Sequence, residues 1–344
     1  MKKTYLILCL LLLISAGTAF TQVAKSGYTI SNRIHLEGDS GWDYLTMDDA
    51  SSRLYISHGS IVQVLDVSEK KVVGTIQDTK GVHGIALAGD LNKGFISNGK
   101  DTSVTVFDMK TLEVITKIKV TGNNPDAILY DSYTDKVFTF NGRSSNSTVI
   151  NATTNKVIGT IDLSGKPEFA VSDGNGKIFV NFEDKSQICL LNPTTLMVEK
   201  TWPVAPGEGP SGLAIDTGGK RLFSVCGNKL MIVLNADNGN VIAKLEIGER
   251  ADAVVYDPGL KRIYSSNGEG TMTVVQEVNK DTYKVLENFP TQKGAKTIAL
   301  NKKTHHVYLS TADFGAAPAL TTENPRPRPV VKPNTFTILE IEPM

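Results

Sequence analysis

The sequence predicts an all-β protein, a seven-bladed β-propeller of four-stranded blades closed by its own N-terminal strand. Three observations carry that expectation. One segment pattern recurs seven times in the 344 residues, beginning at Gly41, Gly81, Asn124, Lys166, Gly209, Arg250 and Gly294, so the period is 40 to 44 residues, the length of one propeller blade. Helical periodicity is missing, and turn residues recur at roughly 8- to 12-residue intervals, which leaves no room for the helical crossovers of an α/β sheet. The last copy stops one strand short, while the chain begins with one strand to spare.

Within a copy the elements follow in a fixed order. A small or polar residue leads into an apolar strand, a turn of Asp, Asn, Gly or Lys follows, and a second strand returns, as in "GVHGIALAGDLNKGFIS" and "RADAVVYDPGLKRIYSS". The third and fourth strands read as hairpins in "SVTVFDMKTLEVITKIKV" (103–120) and "STVINATTNKVIGTIDL" (147–163), where β-branched and polar residues alternate around short turns. The seventh copy ends at "TFTILEIE", and the orphan strand "YTISNRIHL" (28–36) fits its missing fourth position. Pairing the two hides an edge that would otherwise template association.

Ahead of the ring, Lys2 and Lys3 precede "TYLILCLLLLIS" and the small residues of "AGTAF". That order reads as a signal peptide over residues 1–19, removed after about Ala19, and places the protein in the periplasm or outside the cell. Residues 20–344 then form a single propeller domain, with a Pro-rich insertion, "AAPALTTENPRPRPVVKP", at about 316–333 in blade 7. After the leader no apolar run approaches the roughly 20 residues needed to span a bilayer.

Composition excludes several classes. The chain has 36 basic and 36 acidic residues, and loss of Lys2 and Lys3 leaves 34 basic, near −2 overall; the basic footprint of a nucleic-acid binder is missing. Cys189 and Cys226 offer at most one bridge, and no zinc or haem-attachment spacing occurs. Trp42 and Trp202 are too few for a quinoprotein (PQQ) propeller, no Gly-rich loop has the strand-to-helix context of an NAD or phosphate site, and no Gly-x-Ser-x-Gly elbow appears. His305 and His306 fall in a second strand, where alternation turns them to opposite faces, one packed and one exposed.

The second strands "YIS", "FIS" and "IYSSNG", the hairpin "VTVFDMKTLEV", and the stretches "GWDYL", "GVHG", "NPDAI", "KPEFA" and "THHVYL" resemble the YVTN-type seven-bladed propellers, and within them the exported bacterial YncE-like group. The likeness runs over essentially the whole chain after the leader and implies the fold. It implies no activity, because propellers host many unrelated ones. Nucleic-acid binding, proposed for some such proteins, is the less favoured implication here, given the neutral charge.

In such a propeller the first strand of each blade lines the axial channel. The equivalent lead-in positions are Asp43, His83, Asp126, Glu168, Ser211, Asp252 and Lys296, a ring of seven polar side chains. Crowded carboxylates raise one another's pKa values, the usual route to a general acid or base. The ring suits a small ligand or a partner protein at the funnel face, and equally suits the plain lining of a wet channel. Loops after the second strands place His58, Asn98, Asn141 and Arg143 at the rim; Asn-Gly there is also a turn signal. As an enzyme, the alternative is a metal-dependent lyase or lactone hydrolase, with Asp126 and Glu168 holding calcium or magnesium and His83 as general base. The Pro-rich insertion, made basic by Arg326 and Arg328, reads as a lid, a partner-binding segment or a tolerated loop. A monomer is expected.

Overall fold

The computed structural model describes residues 27–38, 41–321, 327 and 329–344. The leader 1–19 lies outside the described residues, as do Arg326 and Arg328 of the insertion. Twenty-eight strands form seven antiparallel sheets of four, and each of the first six blades takes its strands in chain order. Blade 1, for example, runs Trp42–Asp48, Arg53–His58, Ile61–Asp66 and Lys71–Ile76 from axis to rim. The innermost strands pack side by side around the axis, and that of blade 7, Lys296–Asn301, returns to that of blade 1.

Closure follows the sequence expectation. Blade 7 is completed by the N-terminal strand Tyr28–His35, which pairs antiparallel with Thr337–Pro343 from Tyr28↔Pro343 to His35↔Thr337. The first and last described parts of the chain thus share one sheet.

Burial departs from simple alternation in the middle of each blade. Second strands such as Lys93–Asn98 and Lys136–Asn141 are buried at almost every position, because both faces are covered by neighbouring blades. Outermost strands such as Lys156–Asp162 keep the alternating pattern, with one face in water. The core is therefore a set of slabs between blades. One of them joins Tyr28, Leu339 and Ile341 of blade 7 to Tyr264, Met272 and Val274 of blade 6.

A second device locks the slabs together. A cation opens the second strand in blades 1, 2, 3, 5 and 6 and immediately precedes it in blade 4, where Lys177 stands before Ile178, and it reaches toward the outer part of the next blade. Arg53 donates to the Met109 carbonyl, Lys93 to Ala152 and Thr153, and Lys136 to Pro193. Lys177 pairs with Asp237 at 3.1 Å, and Arg221 bonds the Lys280 carbonyl and the Asp281 carboxylate. Arg262 reaches the Tyr28 hydroxyl, which stands where the chain ends replace a hairpin in blade 7. A cation at one fixed repeat position therefore clasps each neighbour.

One expectation needs correction. His305 precedes its strand, in a left-handed turn at φ 63°, and both histidines are half-buried and bonded to carboxylates: His305 to Asp257 at 2.7 Å, His306 to Glu340 at 2.8 Å. Neither is free in solvent, because each faces an acidic residue of the neighbouring strand or blade. Cys189 and Cys226 are buried free thiols in different blades, both pushed up to about 12 by burial.

The clasp is testable at Arg221, only 5% exposed. Arg221→Ala is expected to cost about 2 kcal/mol, read as a lower denaturation midpoint, because three partly buried carbonyls and the Asp281 carboxylate lose a charged donor. Arg221→Lys should recover part of that loss.

Candidate functional site

Each innermost strand begins with an irregularity. Its pairing with the second strand slips by one residue at the lead-in, between Trp42 and Leu45 in blade 1 and at the matching place in the other six. Such bulges bend the strand and re-aim a side chain. The seven ring residues sit at these slips, and all are half-buried about the axis.

Three of them converge. His83 Nδ1 lies 2.6 Å from Asp43 Oδ2 and 3.6 Å from Asp126 Oδ1, and one donor atom from each residue fits within a 4.8 Å cluster. Space for the imidazole comes from Gly99, where an added Cβ would lie 2.7 Å from His83 Nε2. Burial works against the imidazolium, but the bond to Asp43 and the charge of Asp126 outweigh it and hold His83 above its ordinary value.

The other acids are less well compensated. Burial, with the negative charge of Asp43, pushes Asp126 up to about 6 against the pull of His83. Burial and the Asp126 charge push Glu168 up to about 7, although Lys166 Nζ lies 3.4 Å away. Lys166 also bonds Glu183, which draws it away from the axis. Asp252 is raised by burial too, while accepting the Thr297 N–H at 2.7 Å. Ser211 spends its hydroxyl on the Ala251 carbonyl, 3.2 Å away.

A cavity of about 690 Å³ runs along the axis. Its floor is Asp43, Asp126, Glu168, Ser211, Asp252 and Lys296, and its far end reaches Asp49 and Lys302 in the turns between first and second strands. No loop following a second strand lines it. The void thus lies on the side of the ring opposite to the expected funnel. His83 is outside the lining, on the loop side beside Gly99 and Asn124.

The proposed rim is corrected accordingly. His58 is buried, 3.0 Å from Gln63 and against the Phe336 ring. Asn98 donates to Ser103 and Thr105, and Asn141 to Asn146 and Thr148. These side chains end second strands by satisfying the next hairpin, the turn role that Asn-Gly already implied. Arg143 alone of the four is exposed. Glu168 is likewise drawn to Lys166, so the close cluster pairs Asp126 with Asp43 and His83 and leaves Glu168 out.

Two residues escaped the sequence reading. The position after each ring residue is Gly84, Ala127, Gly212, Ala253 or Thr297 in five blades, but Tyr44 and Phe169 in blades 1 and 4. These blades face each other across the axis, and the two rings stack with centroids 5.5 Å apart and planes at 29°. The Tyr44 hydroxyl stands 3.4 Å from the Glu168 carbonyl. Two aromatic residues at a position otherwise small were the signal that could have found them.

No family model matches the chain. Its curated relatives include "Uncharacterized protein YncE" of Salmonella typhi and the protein of the same name from Salmonella typhimurium strain LT2, each 24% identical over 214 residues. Those residues are 62% of this chain and 48% of each relative, so the chain spans about half the length of the curated relatives it matches. Solved structures similar in fold include Kuenenia stuttgartiensis hydrazine synthase (17% identity, TM-score 0.69, 80% of this chain and 94% of that one). Another is the RRP9 WD40 repeats (8% identity, TM-score 0.75, 90% and 97%). Identities this low carry the fold alone. The fold and axial ring define a seven-bladed β-propeller with a polar core channel. Within that class the chain is similar in sequence to the YncE proteins of Salmonella.

The raised carboxylates give a signed expectation. Burial and the Asp126 charge hold folded Glu168 up to about 7, against an ordinary value of 4.5, so this group costs the fold stability as pH rises through that window. Glu168→Gln should raise the melting temperature at pH 8 and leave it nearly unchanged at pH 5. His83 acts in the same direction, its contribution being complete below 6.5 and lost as pH rises through its raised folded value. Gly99→Ala should displace the imidazole and lower the His83 pKa, read from its ring resonances by NMR.

Proposed function

We propose that this protein is an exported binding propeller whose axial cavity takes a small molecule against the carboxylate ring. The observation that supports it is the cavity itself. About 690 Å³ of space ends on six of the seven ring residues, a volume in the range of small-molecule sites, and the carboxylates there lack full compensation. A recessed site of this width suits a small ligand better than a partner protein's surface. The basic leader and apolar run at residues 1–19 support export.

A metal-assisted lyase or lactone hydrolase is the second reading, favoured by the convergence of Asp43, His83 and Asp126. A divalent ion there would polarise a substrate carbonyl or activate a water. Two carboxylates and an imidazole suit a transition ion such as manganese better than calcium or magnesium, which prefer oxygen alone. His83 would then be a ligand, leaving Glu168, at about 7, as the group poised for general base work.

Thermal-shift screening of the chelator-treated protein against metabolites and divalent metals separates these readings. Val255 lines the cavity, so Val255→Trp plugs it. Ligands that shift wild type and not Val255→Trp carry the binding reading, and at 100 times Kd a ligand stabilises by about 2.7 kcal/mol. A metal shift lost in His83→Ala carries the enzyme reading. Shifts indifferent to both variants, or no shifts at all, would sink both.

A further inference from the structure

The cavity wall has three chemically distinct parts. At the floor, Asp43, Asp126, Glu168 and Asp252 face Lys296, while Lys302 and Asp49 stand at the far end. His83 and Lys166 are not part of the lining. Immediately after the ring positions come Tyr44 and Phe169, stacked across the axis and both lining the cavity. Further along, the wall is aliphatic, with Met47, Leu87, Leu129, Val171 and Val255.

Resting on the binding function proposed above, we infer that the cavity selects organic cations, an amine or quaternary ammonium head on an apolar body. The head lies between the carboxylates and the Tyr44–Phe169 pair, where ring quadrupoles attract positive charge. The body lies along the aliphatic wall. At the floor an anion would meet four carboxylates against Lys296 alone, since Lys302 stands with Asp49 at the far end. A neutral head would leave those carboxylates buried without added compensation. A bare divalent ion would match the charge but leave the aromatic pair and the aliphatic wall idle.

Calorimetric titration of the full chain with 4-phenylbutylamine, 4-phenylbutan-1-ol and 4-phenylbutyrate compares one apolar body under three heads. At pH 8 the amine is expected to bind about ten-fold or more tighter than the alcohol, with the carboxylate weakest. Glu168→Gln should weaken the amine several-fold and leave the alcohol unchanged, and because this variant is expected to be more stable, lost binding in it does not reflect unfolding. Tyr44→Ala should weaken the amine where Tyr44→Phe does not. Amine and alcohol within about three-fold of each other, tighter carboxylate binding, or no binding by any probe would overturn the inference. Equal binding of all three, abolished by Val255→Trp, would overturn the charge selectivity while leaving the cavity as a small-molecule site.

Discussion

Closure of the ring is the constraint on which the rest of the molecule depends. Once Tyr28–His35 zips onto Thr337–Pro343, seven sheets share one axis, and every innermost strand has to deliver its first side chains to the same narrow space. Blade packing and the cationic clasps then fix that geometry from outside, because blades 1 to 6 are each held to the next both at an apolar face and through a clasping cation. Without Tyr28–His35, the strand Thr337–Pro343 would be the edge of the closing sheet.

The same closure creates the chemistry. Four carboxylates brought to one axis are partly stripped of water and set against each other, so burial and like charge lift Asp126 and Glu168 into the neutral range. Such a ring is an expense to the fold, and the local remedies are incomplete: His83 serves Asp43 and Asp126, while Lys166 is shared with Glu183. A stability cost concentrated at one concave place is the usual mark of a site kept for binding or catalysis. The aromatic pair spans the axis, Tyr44 and Phe169 each also packing against an apolar slab between blades.

Much of the fold could be read before any coordinates. Repeat spacing, turn chemistry and the orphan strand define the blade count and the closure, since each depends on local pattern and on the need to cover an edge. The ring positions were readable for a related reason: equivalent residues of a repeat occupy equivalent places. The rim was misread because the same Asn-Gly turn serves hairpin and ligand alike, and only burial distinguishes them. Asn98 and Asn141 turn inward to hydroxyls of the following strand. His58 does likewise toward Gln63.

The sequence by itself determined the all-β class, the seven blades, the strap from the N-terminus and the seven side chains at the axis, because periodicity and alternation are properties of a linear string. Tertiary structure decided which of those side chains meet. The distance from Asp43 to His83, the diversion of Glu168 toward Lys166, the stacking of Tyr44 on Phe169 and the side of the ring on which the cavity lies all depend on how blades 40 residues or more apart are rotated about a common axis. That rotation is set by the summed packing of the slabs between blades, which no single repeat contains.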